Sequence, residues 1–156
     1  MAKKYTVAVV GATGLVGQTM IEVLEQRRFP LERLVPLASD RSAGESCRCQ
    51  GREYRVQDLA AHDFAGVDLA LFSAGGSVSA EHAPRAAAAG AVVIDNTSHF
   101  RYDDDVPLVV PEVNPEAIGE YTRRGIIANP KCSTIQLVVA LKPIHDEAGV
   151  RRVNVA

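Results

Sequence analysis

Short apolar runs separated by small or polar turns recur along the 156-residue chain. Five of these runs are nearly continuous, which predicts strands buried on both faces of a sheet. They are residues 5–11, 33–39, 67–76, 91–96 and 125–130. A shorter segment, 47–56, has Gln-Gly at its centre and suggests a hairpin.

Segments between the strands repeat apolar residues at helical spacing. Residues 15–27 show this period, and residues 79–90 form an Ala-rich segment that Gly90 closes. Another apolar pattern follows at 132–144. The alternation predicts an α/β fold, namely a Rossmann-like, doubly wound, mostly parallel sheet with helices on both faces. Ligands then belong at the carboxyl ends of the strands.

The ends of the chain and its composition narrow the classes of function. Residues 151–156 begin a further strand, so we expect residues 1–156 to form one domain that a second domain follows. The formal net charge is −2, with 17 basic and 19 acidic residues mixed along the chain, which does not favour binding to nucleic acid or to an anionic membrane. No signal-peptide pattern and no run of about 18 apolar residues is present, so we expect a cytoplasmic protein with small-molecule or subunit partners.

Cysteine usage agrees with this interpretation. The chain has three cysteines, Cys47, Cys49 and Cys132, an odd number that argues against a disulfide framework. The Cys-x-Cys pair lacks further Cys or His at metal-binding spacing, so no metal site is predicted.

A glycine-rich turn, "GATGLVG", follows the first predicted strand and opens a helix. Gly11 permits a tight turn, Gly14 lets the backbone approach a pyrophosphate, and Gly17 permits close packing of the helix on the sheet. The residues predicted to bind a dinucleotide here are Gly11, Thr13, Gly14, Leu15, Val16 and Gly17. The spacing is GxxGxxG and not GxGxxG, so the motif alone leaves open an ordinary Gly-rich connection.

The end of the second strand bears on the choice between NAD and NADP. "ASDRSAG" offers Ser39, Arg41 and Ser42, and a guanidinium flanked by hydroxyls suits the 2′-phosphate of NADP. Asp40 in the same turn suits the ribose hydroxyl of NAD, and Arg41 could equally be a solvated loop cation. The residues favour NADP and leave NAD open.

Cys132 lies in "ANPKCSTIQ", between a strand and a helix. Unpaired N–H groups at a helix N-terminus, together with neighbouring Lys131, stabilise a thiolate, so Cys132 is a candidate nucleophile. A buried structural cysteine is the alternative. A thiol nucleophile beside a nicotinamide cofactor indicates oxidation of an aldehyde, or the reverse reduction, through a thioester.

Several segments match a known family in order, from about residue 5 to the end. They read "VAVVGATGLVG", "ASDRSAG", "LFSAGG", "VIDNTSHFRYDDDVPLVVPEVN" and "GIIANPKCSTIQLVVALKPI". This set resembles the N-terminal part of the aspartate-semialdehyde dehydrogenase family. The resemblance implies NADP-dependent reductive dephosphorylation of 4-aspartyl phosphate to aspartate 4-semialdehyde, on the pathway to lysine, methionine, threonine and isoleucine.

The resemblance also implies roles for individual residues. Cys132 matches the nucleophile that forms the acyl thioester, and Arg101 matches a residue that binds the substrate phosphate or inorganic phosphate. Asn129 would line the same pocket. Residues 13–16 with Arg41, Ser42 and Gly75 match positions that contact NADP. Full-length members imply a homodimer or homotetramer, with a C-terminal α+β domain for catalysis and dimerisation.

The chain departs from the family pattern in two ways. Lys131 stands where the family commonly has Asn, so "NPNC" becomes "NPKC". The family also takes a glutamine, an arginine and an acid/base histidine from the part that would follow residue 156, and none of the four histidines here occupies the matching position. The chain alone is therefore expected to be catalytically incomplete.

Two alternative functions remain from the sequence. N-acetyl-gamma-glutamyl-phosphate reductase performs similar chemistry on a longer acyl phosphate, but that family resembles "NPGCYPT" around its cysteine, where this chain has "CSTIQ". A non-catalytic nucleotide-binding module is the other alternative.

Overall fold

The computed structural model describes residues 3–155. Six strands form one sheet whose neighbours are all parallel, and two strands form a separate antiparallel hairpin. The strands are β1 (Tyr5–Val10), β2 (Leu31–Ala38), β3 (Ser46–Cys49), β4 (Arg52–Arg55), β5 (Gln57–Asp58), β6 (Leu69–Phe72), β7 (Val92–Asp95) and β8 (Ile126–Ala128).

Three α-helices and two 3-10 segments connect the strands. The α-helices are α1 (Leu15–Gln26), α2 (Gly76–Ala88) and α3 (Cys132–Ala148). The 3-10 segments are Asp40–Ser42 and Pro115–Arg123. No helix within residues 3–155 is long and apolar enough to cross a membrane.

The order of the six-stranded sheet is β5-β2-β1-β6-β7-β8. From β1 the chain builds outward through β2 to β5, then returns to the other side of β1 and builds outward again through β6, β7 and β8. The direction of winding therefore reverses between β1 and β6, where a doubly wound sheet leaves a crevice at the carboxyl ends of its strands. The predicted Rossmann-like, doubly wound fold is confirmed.

Helices cover both faces of the sheet, as the sequence predicted. Successive side chains of a strand point to opposite faces. Val7 and Val9 of β1 therefore pack in one core with Ile21 of α1, whereas Ala8 and Val10 pack in the other core with α2. The central strands are apolar throughout because neither of their faces meets water.

The predicted hairpin is confirmed at β3 and β4. Gln50 and Gly51 form its two-residue turn with φ of 50° and 74°, the positive values that a tight hairpin turn requires. Cys49 is fully buried beneath α1, where its Sγ lies 3.8 Å from the carbonyl oxygen of Ile21. This cysteine is part of the core that links the hairpin to α1.

Several predicted elements differ from the structure. The strand predicted at 67–76 is confined to Leu69–Phe72, and the helix predicted at 132–144 extends to Ala148. Helix α2 begins at Gly76 and not at residue 79, because Gly75, with φ of 105°, ends the turn after β6 and the helix starts at once. The prediction of a strand at 151–156 is wrong for residues 151–155, which have no regular secondary structure. No strand in the described part of the chain lies beside them to complete a ladder, and Ala156 lies outside the described residues.

Candidate functional site

The glycine-rich turn joins the carboxyl end of β1 to the start of α1. The N–H groups of Gly11 and Ala12 both donate to the carbonyl oxygen of Leu37 in β2, at 2.8 and 3.1 Å. Gly11 has φ of +87°, a conformation that favours glycine. A Cβ on Gly17 would lie 2.1 Å from the carbonyl oxygen of Gly11, so α1 sits against the turn at a distance that only glycine allows.

The N-terminus of α1 lies open beside this turn. Gly14 is the N-cap, and its N–H donates to the carbonyl oxygen of Gly11. No side chain in the described residues caps the helix. Leu15, which follows, is 81% exposed, and Val16 is also exposed. The first backbone N–H groups of a helix have no partner within it and give that end a partial positive charge. An uncapped helix start beside a tight glycine turn is suited to a pyrophosphate.

A cleft of about 540 Å³ opens beside the turn, across the carboxyl ends of β1, β2, β5 and β6. Its lining includes Gly11 and Thr13 from the turn after β1, together with Ser39 and Asp40 from the turn after β2. Arg41 and Ser42 follow in the same 3-10 turn. The structure therefore brings the predicted phosphate turn and the predicted cofactor-discriminating turn to one cleft.

Two predicted cofactor residues, Arg41 and Gly75, follow lining residues in the chain but are not themselves part of the cleft lining. Arg41 is exposed, and its backbone N–H donates to Oδ1 of Asp40 at 2.8 Å. Gly75 is exposed at the N-cap of α2, where a Cβ would meet nothing within 4 Å. Gly75 thus leaves space in front of the second helix start that faces the carboxyl edge of the sheet.

A second group of predicted residues meets at the carboxyl ends of β7 and β8. Nε of Arg101 donates to the carbonyl oxygen of Asn129 at 2.7 Å, and Nη2 donates to the carbonyl oxygen of Asn96 at 3.2 Å. Nδ2 of Asn129 lies 3.5 Å from Oδ1 of Asn96. Within residues 3–155 the Nη1 group of Arg101 has no hydrogen-bond partner, so a half-buried guanidinium is held in place with one donor group left for an anion.

Cys132 stands three residues after Asn129, as the first residue of α3. The N–H of Asn129 donates to the carbonyl oxygen of Asp95 at 2.9 Å, which ties the segment before the thiol to β7. Lys131 is the N-cap of α3, and no side chain in the described residues caps this helix. Cys132 is exposed, so the buried structural cysteine that the sequence left open is not observed.

The other two cysteines have a different environment. Burial raises the pKa of Cys47. Burial likewise raises the pKa of Cys49, and the negative charge of Glu25 and the neighbouring Cys47 raise it further. Both thiols are held in their neutral, unreactive form more strongly than an exposed thiol would be.

Sequence reasoning missed Asp95, a fully buried carboxylate at the end of β7. Its oxygens accept hydrogen bonds from the hydroxyls of Ser79 and Thr97 at 2.9 and 2.8 Å and from the N–H of Thr97 at 3.0 Å. This network fixes the turn that leads to Asn96 and Arg101 and joins it to α2. The signal was a lone Asp at the end of an apolar strand in "VVIDNTSHF", where a buried carboxylate needs several donors.

A shallow groove of about 310 Å³ connects the two groups of residues. Val16 of the glycine-rich turn and Asn96 of the Arg101 site both line it, with apolar side chains of α1 between them. The glycine-rich turn and the Arg101 group thus lie along one edge of the sheet. Within residues 3–155 no three His, Cys, Asp or Glu side chains are grouped to hold a metal ion.

Comparison with known proteins gives consistent relatives. Aspartate-semialdehyde dehydrogenase 2 of Vibrio cholerae is 61% identical over 155 residues, which covers 99% of this chain and 46% of that protein. The chain spans about half the length of the curated relatives it matches.

Solved structures agree with the fold. The crystal structure of aspartate semialdehyde dehydrogenase II from Vibrio cholerae complexed with ASA matches with a TM-score of 0.94 and 61% identity, covering 96% of this chain and 49% of that chain. The aspartate semialdehyde dehydrogenase structure with NADP from Candida albicans matches with a TM-score of 0.78 and 30% identity, covering 95% and 48% respectively.

The family match covers most of the sheet and the whole cofactor cleft. Residues 6–121 match the family described as "Semialdehyde dehydrogenase, NAD binding domain". This range contains the glycine-rich turn, the turn after β2, and Arg101. The chain therefore belongs to the semialdehyde dehydrogenase NAD-binding domain family.

Proposed function

We propose that the protein supplies the NADP-binding part and the nucleophile of an aspartate-semialdehyde dehydrogenase. The observation that carries this proposal is the placement of Arg101, whose side chain is bonded to Asn129 three residues before the exposed thiol of Cys132. A guanidinium fixed to the segment that leads to an exposed thiol, on the same carboxyl edge of the sheet as a dinucleotide turn, is suited to an acyl phosphate substrate. Relatives near 60% identity carry the name of this enzyme.

The residues present fit NADP. Gly11 and Gly17 form a turn that a Cβ would fill, and the open start of α1 provides N–H groups for the pyrophosphate. The 2′-phosphate would be surrounded by Ser39, Arg41 and Ser42. The carboxylate of Asp40 accepts a hydrogen bond from the backbone N–H of Arg41. When bound, the cofactor supplies a hydride to the carbonyl carbon of the substrate.

Cys132 would act as the nucleophile. Its thiolate attacks the C4 carbonyl of 4-aspartyl phosphate, and phosphate leaves with the electron pair of the C–O bond, so that a thioester forms on Cys132. Once this carbon had been reduced, Cys132 would leave as a thiolate with the electron pair of the C–S bond, which would release the aldehyde. The helix start at Cys132 would bring the partial positive charge of its N–H groups close to the reacting sulfur in both steps, because no side chain in the described residues caps them.

Arg101 would bind the phosphate as it enters or leaves. Two of its nitrogens are fixed to backbone oxygens, so the guanidinium cannot swing away and Nη1 keeps a constant direction. A positioned guanidinium neutralises the charge that collects on the leaving phosphate. Asn129, held against Asn96, would line the same pocket.

The wider assignments follow from the same proposal. We infer a cytoplasmic enzyme of the aspartate pathway that works as a homodimer or homotetramer, with acid/base and substrate-binding groups from a second domain. The longer acyl phosphate of N-acetyl-gamma-glutamyl-phosphate reductase is disfavoured because residues 132–136 read "CSTIQ". A non-catalytic module is disfavoured because the thiol is exposed at a helix start, three residues after the Asn129 carbonyl that Arg101 binds.

The test is an assay of the complete enzyme in the oxidative direction. Aspartate semialdehyde, NADP and inorganic phosphate should together give NADPH, and omission of phosphate should suppress multiple turnovers. N-acetylglutamate semialdehyde should react poorly under the same conditions. Preference for that longer aldehyde, or the absence of NADPH with either, would contradict the proposal.

A further inference from the structure

The cofactor cleft extends beyond the turns at β1 and β2 to the edge strand β5. Asp58, the last residue of β5, lines the cleft with Leu59 and Ala60. Asp58 pairs with Ala38 in the sheet, and β2 lies between β5 and β1. Neighbouring strands are spaced by about 4.8 Å, so Asp58 stands roughly 10 Å across the sheet from the glycine-rich turn.

The carboxylate of Asp58 is fixed in direction and only partly satisfied. Its Oδ1 accepts the N–H of Ala60 at 3.1 Å, which orients the group at the end of the strand. Within residues 3–155, Oδ2 has no hydrogen-bond partner and no Lys or Arg forms an ion pair with Asp58. Because Asp58 is half-buried, water only partly supplies the hydrogen bonds that this oxygen can accept. Oδ2 is therefore an acceptor available to a ligand.

Two basic side chains at this end of the cleft, His82 and Arg85, form no ion pair with Asp58. His82 lines the cleft and is only 7% exposed; its Nδ1 lies 2.7 Å from Nη1 of Arg85. Burial lowers the pKa of His82, an effect that Glu81 and Asp58 oppose and Arg85 reinforces. Nη2 of Arg85 donates to the carbonyl oxygen of His62, so this guanidinium is occupied elsewhere.

The remaining lining of the cleft is small and apolar. It consists of Ala38, Leu59, Ala60, Ala74 and Val78. A flat aromatic ring fits such a lining, with Asp58 as the carboxylate that can meet a donor on the edge of the ring. With the pyrophosphate on the turn after β1 and the ribose at the turn after β2, the group that reaches β5 is the base.

We propose that Asp58 recognises the base of the dinucleotide. In this proposal its Oδ2 accepts a hydrogen bond from the 6-amino group of adenine. This inference rests on the proposed function, because it assumes that the cleft holds NADP. An amino group at C6 donates, whereas the carbonyl oxygen that replaces it in hypoxanthine only accepts. In the hypoxanthine analogue two acceptors would face each other, and a half-buried carboxylate would lose its donor.

The experiment compares NADPH with reduced nicotinamide hypoxanthine dinucleotide phosphate, using the fluorescence of the bound nicotinamide in the complete enzyme. The wild-type protein should bind NADPH about tenfold more tightly, since a hydrogen bond to a charged group contributes at least that factor. Asp58→Asn should reduce this preference to within about twofold, because its amide can donate to the 6-carbonyl oxygen. The Asn keeps an oxygen for the N–H of Ala60, so the fold is preserved.

Asp63→Asn is the matched control. Asp63 is exposed outside the cleft lining, and its Oδ1 accepts the N–H of Ala65 at 3.0 Å, the same local bond that Asp58 makes. This variant should keep the tenfold preference. Equal affinity of the wild type for both dinucleotides, or an equal loss for both in Asp58→Asn, would overturn the role of Asp58. If neither dinucleotide bound to the wild type, the proposed function would fail and this inference with it.

Discussion

The two ends of the carboxyl edge of the sheet are built differently. At β1 and β2 the backbone itself fixes the glycine-rich turn, through bonds to Leu37 and the close approach of Gly17 to Gly11. At β7 and β8 the side chain of Arg101 holds the segment before the thiol, and α3 has no buried residue in the described structure. The fold of the first region should tolerate changes of side chain but not an added Cβ, whereas the second region is held together by individual side chains.

The thiol end should show the largest effect. Cys132→Ser in the complete enzyme should reduce turnover by about 10³-fold or more, because an alcohol is a far poorer nucleophile than a thiolate. NADP binding should remain, since the cofactor cleft lies at other strands. Mass spectrometry of quenched wild-type enzyme with aspartyl phosphate should find the acyl adduct on Cys132, and Cys47→Ser should leave turnover intact. An adduct on another residue would remove the proposed role.

Arg101→Lys probes the side-chain bonds that hold the thiol end. Lysine keeps the charge but has one nitrogen in place of the planar guanidinium, so it cannot reproduce the separate nitrogens that bond Asn96, Asn129 and an anion. We expect kcat/KM for phosphate to fall roughly 10- to 100-fold, with NADP affinity unchanged. Arg123→Lys is the control, because Arg123 forms an exposed ion pair with Glu120. Equal kinetics in the two variants would show that Arg101 does not bind phosphate.

Gly17→Ala probes the backbone construction of the cofactor end. The new Cβ would lie 2.1 Å from the Gly11 oxygen and 2.8 Å from its carbon, so the turn or α1 must move. The free energy of unfolding should fall by about 1–3 kcal/mol, measured by urea denaturation, and NADP binding should weaken. Gly119→Ala should change stability by less than about 0.5 kcal/mol, because a Cβ there meets nothing within 4 Å. Similar losses in both variants would contradict a steric role for Gly17.

Arg41→Ala should have the smallest effect, confined to the cofactor end. Loss of a guanidinium beside the 2′-phosphate should weaken NADP binding by about tenfold and leave NAD binding nearly unchanged. Titration of both cofactors against both proteins measures this difference. Equal losses for NAD and NADP would show that Arg41 does not contact the 2′-phosphate.

Sequence patterns predicted the long elements and missed the short ones, for a physical reason. The central strands are apolar over several residues, and α1 and the hairpin have characteristic periods and turns, so local sequence was sufficient. Strand β5 is two residues long and exists only because Gln57 and Asp58 pair with β2. The 3-10 helix at Pro115–Arg123 is short and has few apolar residues, so its sequence resembles that of a loop.

The candidate site shows the same division. Glycine spacing and the neighbours of Cys132 predicted the two ends of the site, because those signals lie within a few residues of one another. The links between the ends are not local: Arg101 reaches Asn129 28 positions away, and Asp95 accepts from Ser79 16 positions earlier. Asp58 enters the cofactor cleft only through the order of the strands. Such contacts require the fold.

Helix α3 has a consequence for how the molecule fluctuates. It exposes Leu137, Val139 and Ile144, and few buried contacts oppose its local opening. Its amide hydrogens should therefore exchange with deuterated solvent well before those of β1, whose residues lie in the core. Cys132 lies at a helix N-terminus only while the first turn of α3 is formed. Any surface that packs on the apolar side of α3 would therefore increase the fraction of time in which the thiol has this environment. Conditions that slow deuterium uptake in α3 should consequently speed the alkylation of Cys132, and conditions that speed the uptake should slow the alkylation.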